Sequence, residues 1–390
     1  MSERKLAHIE TIAEIKPIEG ADKIELAYVL GWQCVVKKGE FKVGDKIIYV
    51  EVDSVMPERP EFEFLRDRKF KIKTIKLKGQ ISQGLVLPIY YNDNVYLKSI
   101  LHNLDIGEDV TKLLGITKYL SISEKEEITQ QETNISNKKN KFKKFIMRYS
   151  WIRKLFFSRK RKGGFPYWVS KTDEERIQNI PFILEKFKDK EVYITEKIDY
   201  QSVTFTNKII PNTTPIIGKF LSKKFKFIVC SRNRINNDKN SLYWRIAKKY
   251  NIEQILKENP TLTIQGEQGD TNVQGNKYGI TEPTMWVFNI IDHKKHYHYN
   301  YEEMLEFCIN NNLLVVPLIG KKLNNYSNKI HCKLSELGST VQDLVEFSKG
   351  KSVINPNIER EGVVIRCIEN GNKILSFKVI NPEFLLKFDN

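Results

Sequence analysis

Apolar and polar residues alternate in short runs along most of this chain, and a period of two predicts strands. Val192 and Ile194 alternate with polar neighbours, as Val203 and Phe205 alternate with Thr204 and Thr206. Residues 192–206 therefore read as strand, turn, strand, with Lys197 at the rim of a sheet. Five further apolar runs each carry a polar group at one end. They are Cys230-Ser231-Arg232-Asn233, Ile264-Gln265-Gly266-Glu267, Met285-Trp286-Val287-Phe288-Asn289, Glu361-Gly362-Val363-Val364-Ile365-Arg366 and Ser376-Phe377-Lys378-Val379-Ile380.

The first hundred or so residues are also β-rich. Gly31-Trp32-Gln33-Cys34-Val35-Val36 and Gly44-Asp45-Lys46-Ile47-Ile48-Tyr49-Val50, punctuated by Gly39 and Gly44, suggest a small barrel. From Lys71 to Lys78 lysines alternate with aliphatics, which predicts a strand with Lys73, Lys76 and Lys78 as a ladder of cations on one face. Such a ladder by itself also fits a plain solvated face. Residues 121–140 are polar and read as linker. In the segment that follows, Phe142, Phe145, Ile146, Tyr149 and Phe156 fall roughly on one helical face.

Charge sharpens this picture. The 390 residues hold 64 basic and 48 acidic side chains, a net charge of +16, which favours a polyanionic partner. Twelve of the basic residues, Arg148, Arg153 and Lys154 among them, lie between Lys138 and Lys162 with no acidic one. That segment reads as a solvated tether, an RNA-gripping helix or, last, a membrane-surface helix. No signal peptide and no apolar run near the ~20 residues of a spanning helix are evident. The five cysteines are scattered and form no CxxC pair, so reduced thiols in a cytoplasmic setting are expected. His293, His296 and His298 cluster, but the lysines among them argue against a metal site.

Lys197 opens the chemistry. In Glu196-Lys197-Ile198-Asp199 an amine stands two residues from an acid that can hold a metal or a sugar. A lone Lys-x-Asp is more often solvated surface; the collinear companions change that. Lysine, arginine, glutamate, aromatic, glutamate and lysine, in this order, resemble the motifs of the covalent nucleotidyltransferases, which include RNA and DNA ligases and mRNA capping enzymes. Phe165-Pro166 with Lys171-Thr172-Asp173-Glu174-Glu175-Arg176-Ile177-Gln178-Asn179, and Gln274-Gly275-Asn276-Lys277-Tyr278, are similar to segments of RNA ligases. The N-terminal region resembles the OB module of one nick-sealing RNA ligase group.

The resemblance implies an α+β protein with an OB-like barrel over residues 1–115, a polar then basic linker over 116–164, and a DNA-ligase-like or ATP-grasp-like nucleotidyltransferase domain of antiparallel sheets over 165–390. It implies that Lys197 attacks the α-phosphorus of ATP. Glu196 would help to place the base, Asp199 would support metal or sugar, and Arg232 would meet the ribose or the RNA 5′-phosphate. Glu267 would contact the ribose, Phe288 would stack on adenine, Glu361 would position Mg²⁺ or Mn²⁺, and Lys378 would hold the α-phosphate. The implied partner is nicked duplex RNA, RNA/DNA hybrids included, with no membrane and no obligate protein partner. The competing readings are a capping-type guanylyltransferase and a non-catalytic RNA-binding protein. Two positions depart from the family pattern: Tyr200 stands where glycine follows Lys-x-Asp, and Ile380 stands where a second lysine follows Lys378, with Lys373 or Lys387 as alternative basic partners. Residues 299–357 carry no chemical reading.

Overall fold

The computed structural model describes residues 4–90, 100–119, 164–209, 225–320 and 331–388. Arg148, Arg153 and Lys154, and with them the basic segment, lie outside the described residues. The chain divides into two compact units, Met1–Lys162 and Gly163–Asn390.

Among its described residues the first unit has ten short strands: β1 (Ala7–Thr11), β2 (Glu14–Pro17), β3 (Ile24–Val29), β4 (Trp32–Lys37), β5 (Lys46–Val50), β6 (Ser54–Val55), β7 (Ile75–Leu77), β8 (Gln80–Ser82), β9 (Leu85–Pro88) and β10 (Thr117–Lys118). Strands β1-β5-β9 and β2-β3-β4 form three-stranded sheets, and β7-β8 and β10-β6 form pairs; all pairings are antiparallel. The unbroken apolar run of β5 is explained by burial on both faces. Ile48 and Val50 pack with Ile9, Phe62 and Leu87, whereas Ile47 and Tyr49 pack with Trp32, Cys34 and Val86.

The lysines from Lys73 to Lys78 do not form the expected ladder. Strand β7 spans only Ile75–Leu77, and Lys78 (φ 46°) with Gly79 (φ 79°) forms the two-residue turn into β8. Two successive positive φ values suit the twist of such a hairpin. Lys73 precedes the strand and is partly buried, Lys76 is exposed within it, and Lys78 projects from the turn. Lys71 is buried, its amine 3.9 Å from the centre of the Tyr119 ring. The alternation changes phase at Thr74-Ile75, so these cations do not share one strand face.

The second unit is α+β, with β11 (Glu175–Arg176), β12 (Glu191–Lys197), β13 (Gln201–Ile209), β14 (Phe225–Ser231), β15 (Leu262–Gly269), β16 (Thr284–Asp292), β17 (Tyr297–His298), β18 (Leu314–Val315), β19 (His331–Lys333), β20 (Gly362–Glu369) and β21 (Asn372–Ile380). Its helices include α1 (Leu242–Lys249), α2 (Ile252–Glu258), α3 (Tyr301–Asn310), α4 (Val341–Ser348) and α5 (Pro382–Phe388). One five-stranded sheet runs β11-β21-β20-β12-β19; the other runs β14-β13-β15-β16-β17, with β18 parallel to β16. Most pairings are antiparallel, as expected.

Strands β12 and β13 do flank a short turn, but they do not pair with each other. They enter different sheets, so Ile198-Asp199-Tyr200 is the crossing between the two, with Lys197 at its start. On β12, β20 and β21 the two-residue period sends Val192, Ile194, Val363, Ile365, Phe377 and Val379 into a core against Leu344 of α4. The opposite face carries Lys197, Tyr193, Arg366 and Lys378. In the second sheet, Val203, Phe205, Ile264 and Val287 pack on Ile246 of α1, Leu256 of α2 and Met304 of α3.

Candidate active site

Lys197 is the last residue of β12, opposite Gly362 on β20, which is in turn opposite Ile380 on β21. Gly362 is required there. Its φ is 153°, and a Cβ at this position would lie 2.2 Å from the Val379 carbonyl oxygen. The close strand approach brings the preceding residue, Glu361, over the lysine. The Lys197 Nζ donates to both Glu361 oxygens, at 2.7 and 2.6 Å. The two side chains are only 23% and 12% exposed. Burial is the largest single influence on Lys197 and opposes its ammonium form, but Glu361, Asp199 and Glu267 together outweigh it and raise the amine pKa. Burial likewise raises the Glu361 carboxyl, with Lys197 and Lys378 pulling it back.

Glu267, on β15, faces the same amine. Burial pushes its carboxyl well above the usual carboxylate range, against the pull of Lys197 and Arg232. Its Oε2 is buried without a hydrogen-bond partner in the protein, which suits a polar ligand atom. Asp199 pairs with Lys277, from the segment after β15, and its backbone N–H donates to the Tyr278 hydroxyl at 2.9 Å. Arg232, just past β14, pairs with Asp173 in an exposed setting. Lys378 lies opposite Val364 on one side and Arg176 of β11 on the other, which sets two cations side by side, Arg176 being buried.

Phe288 sits at a β-bulge. Gln265 pairs with Asn289 and Gly266 with Val287, so Phe288 is the extra residue on β16. Bulges re-aim side chains next to sites. Arg366, buried to 4% exposure, crosses from the other sheet and holds this ring. Its guanidinium lies 5.6 Å from the ring centre, Nη1 donates to the Phe288 carbonyl, Nη2 meets Glu174 at 3.1 Å, and Nε donates to Ser376 Oγ at 3.2 Å. Burial raises and Arg366 lowers the Glu174 carboxyl, and the net result lies below its ordinary value.

Glu196 departs from expectation. Strand alternation turns it to the face opposite Lys197, where Oε2 accepts the Val353 N–H at 2.7 Å. Its side chain anchors the segment leading to Glu361 rather than facing the amine.

The two departures from pattern also gain a physical account. Tyr200, 7% exposed, stacks on Trp286 with ring centres 6.1 Å apart and donates to Asn276 Oδ1 at 3.0 Å. Gly269 makes room for it, since a Cβ there would lie 2.7 Å from the ring. Tyr200 needs no positive φ. Ile380 is a core residue at 2% exposure. Neither proposed substitute joins the site directly: Lys373 acts on Glu174 and His298, and Lys387 is exposed beside Phe388. The cations that structure adds are Lys277 and Arg176, both within quoted stretches but without assigned roles. Arg366, too, had no role; its signal was a charge inside an apolar run.

Comparison with known proteins agrees with this arrangement. An OB-fold domain model matches residues 6–89, and an RNA ligase model matches residues 190–380. No curated protein matches the chain. Among solved structures, a glutamate-to-alanine mutant of Naegleria gruberi RNA ligase with ATP and Mn is 28% identical, with a TM-score of 0.75 over 99% of this chain and 100% of that one. The same ligase with pyrophosphate is 28% identical with a TM-score of 0.74, covering 99% of each chain. An aspartate-to-alanine mutant without ligand is 28% identical with a TM-score of 0.74, covering 100% of this chain and 99% of that one. The chain therefore carries an OB-fold domain over residues 6–89 and, across the segment holding Lys197, Glu267, Glu361 and Lys378, an RNA ligase domain, and it is similar to a whole RNA ligase from end to end.

Proposed function

We propose that this RNA ligase uses ATP to join 3′-hydroxyl and 5′-phosphate ends at breaks in duplexed RNA through a lysyl-AMP intermediate, in the service of RNA repair. The observation that carries the reading is the buried Lys197 amine gripped by Glu361, with Glu267, Asp199 and Lys378 as charged neighbours. Similarity to a ligase solved with ATP and Mn supports ATP and a divalent cation as its requirements.

In the first step the Lys197 Nζ forms a bond to the α-phosphorus. The bond to the bridging oxygen breaks, and pyrophosphate leaves with the electron pair. An ammonium cannot attack, so Lys197 must first shed a proton. While Glu361 grips it the proton stays; were the Glu361 oxygens drawn to another cation, burial would favour the neutral amine and the proton would pass to solvent. AMP then passes to the RNA 5′-phosphate, and the 3′-hydroxyl displaces it. Lys378 holds the α-phosphate through these steps, in a low-dielectric site where a fixed charge acts strongly. Glu267, whose carboxyl burial pushes well above the usual carboxylate range, offers its buried Oε2 to a ribose hydroxyl. Phe288 offers a face for the adenine, and Arg232 meets the ribose or the RNA phosphate.

The residues fit Mg²⁺ or Mn²⁺. Glu361 and Asp199 offer hard carboxylate oxygens, and such an ion keeps several waters and needs only one or two carboxylates beside substrate phosphate. When bound, the cation supplies charge that offsets the phosphates and favours the neutral amine.

In the proposed organisation residues 1–115 form the OB module, 116–164 a basic tether and 165–390 the adenylyltransferase. Lys73, Lys76, Lys78 and the tether cations Arg148, Arg153 and Lys154 contribute phosphate contacts. The test is incubation with α-labelled ATP or GTP, then sealing of nicked duplexes with each strand RNA or DNA. Label from ATP on wild type but not on Lys197→Ala, with sealing of nicked RNA, is the expected result. GTP label would point to capping chemistry, and no label to a binding protein.

A further inference from the structure

Lys277 is anchored at the nucleophile's end of the site although it lies 80 residues along the chain from Lys197. Its side chain is 17% exposed and its amine pairs with Asp199. The same amine lies 5.2 Å from the ring centres of both Phe384 and Phe388 on α5, the helix that follows Ile380. Its segment is fixed to the crossing between the sheets at two further points. Asp199 N–H donates to Tyr278, and Tyr200 donates to Asn276 at 3.0 Å. Asn355 Nδ2 donates to the Lys277 carbonyl at 3.2 Å. A long, flexible lysine is thereby delivered to one place.

That place is where the β21 strand offers no charge. Lys197, Gly362 and Ile380 stand abreast across β12, β20 and β21, and Ile380 is buried. Lys277 brings a cation to Asp199, two residues along from Lys197. An in-line attack by Lys197 sends pyrophosphate away on the far side of the α-phosphorus. A cation beside Asp199, two residues from the nucleophile, therefore faces the non-bridging oxygens of the α-phosphate rather than the departing group.

We infer that Lys277 is a phosphate-binding residue, a second cation for the α-phosphate beside Lys378, which Asp199 holds in place until the nucleotide arrives. This rests on the nucleotidyl-transfer reading given above. The ion pair keeps the amine ordered without substrate, and the shift from carboxylate to phosphate exchanges one charge-assisted bond for another.

The test compares AMP with adenosine, which lacks the phosphate, by calorimetric titration of the full-length protein. Lys277→Ala should weaken AMP binding about tenfold or more, the loss expected for one charge-assisted hydrogen bond. Adenosine binding should be unchanged, Lys277→Arg should keep most of the AMP affinity, and lysyl-AMP should form more slowly in step with the AMP loss. Equal losses for AMP and adenosine would reduce Lys277 to a structural role, and unchanged AMP binding with wild-type labelling would exclude it from the phosphate. Either result overturns the inference alone. A wild-type protein that neither binds AMP nor takes label from ATP would overturn the functional reading and this inference together.

Discussion

The Lys197 amine is clasped by both oxygens of Glu361, at 2.7 and 2.6 Å, in a pocket that would by itself disfavour its charge. In the proposed mechanism the resting enzyme therefore stores its nucleophile as an ammonium. Glu361→Gln removes the strongest influence that holds the proton, so the amine pKa must fall. Without metal or nucleotide at pH 8, an amine-reactive reagent should label Lys197 faster in Glu361→Gln than in wild type. Lysyl-AMP formation should meanwhile fall by about a hundredfold or more. Mass spectrometry of the labelled peptide reads the first effect, and equal labelling rates would show that Glu361 does not hold the proton.

Lys197, Glu267, Glu361 and Lys378 were legible because each is a polar residue in or beside an apolar strand and because their order along the chain resembles that of the nucleotidyltransferase motifs. Periodicity does not report pairing, so the passage of β12 and β13 into separate sheets was not legible. The same blindness hid Lys277, one lysine in a polar stretch until Asp199 meets it, and Arg176, whose neighbour Lys378 is about 200 residues away. Glu196 was misplaced by its adjacency to Lys197, which in a strand means the opposite face. The lysines near β7 looked like a ladder because a hairpin turn at Lys78-Gly79 and a phase change leave the composition of the run intact.

Tyr200 should be a stabilising residue rather than a defect. Its ring fills the space left by Gly269 and stacks on Trp286. Tyr200→Gly would open a cavity under the crossing that carries Lys197 and add backbone freedom to it. We expect a loss of about 3–5 kcal/mol in urea unfolding and slower lysyl-AMP formation. Faster labelling from ATP in Tyr200→Gly would contradict the packing argument.

His8 gives the first unit a pH-dependent stability. It is buried at 5% exposure between Glu10, at 2.8 Å, and Glu51, at 3.6 Å. Burial opposes its charge, yet the two carboxylates raise its pKa from 6.5 to about 9. A raised folded pKa stabilises fully below pH 6.5, and the contribution disappears as pH rises through about 9. The gain is at most ~3 kcal/mol. Melting curves should show wild type losing its advantage over His8→Gln between these limits, and a constant difference across that range would exclude the linkage.

Arg366 should act on the nucleotide through Phe288. It satisfies the carbonyl of the bulged residue and lies against its ring, so the base platform depends on a charge held by Glu174 and Ser376. Lysine cannot reproduce these contacts from one point charge. Arg366→Lys should raise KM for ATP about tenfold while kcat changes much less, an effect that Phe288→Leu should largely mask in the double variant. Fully additive effects would separate the two residues.

The basic segment carries three quarters of the net charge, since twelve of the surplus +16 lie between Lys138 and Lys162. A surplus so concentrated acts on a polyanion through released counterions, and each phosphate neutralised adds about 0.9 to the slope of log affinity against log salt on a duplex. Lysyl-AMP formation, as proposed, draws on ATP and the residues around Lys197. Deleting residues 138–162 should therefore weaken RNA binding at low salt and flatten its salt dependence by several units of slope, while labelling from ATP stays at the wild-type rate. Titrations of nicked RNA at several salt concentrations measure both quantities. An unchanged slope would assign the phosphate contacts to the folded units and leave the segment a spacer.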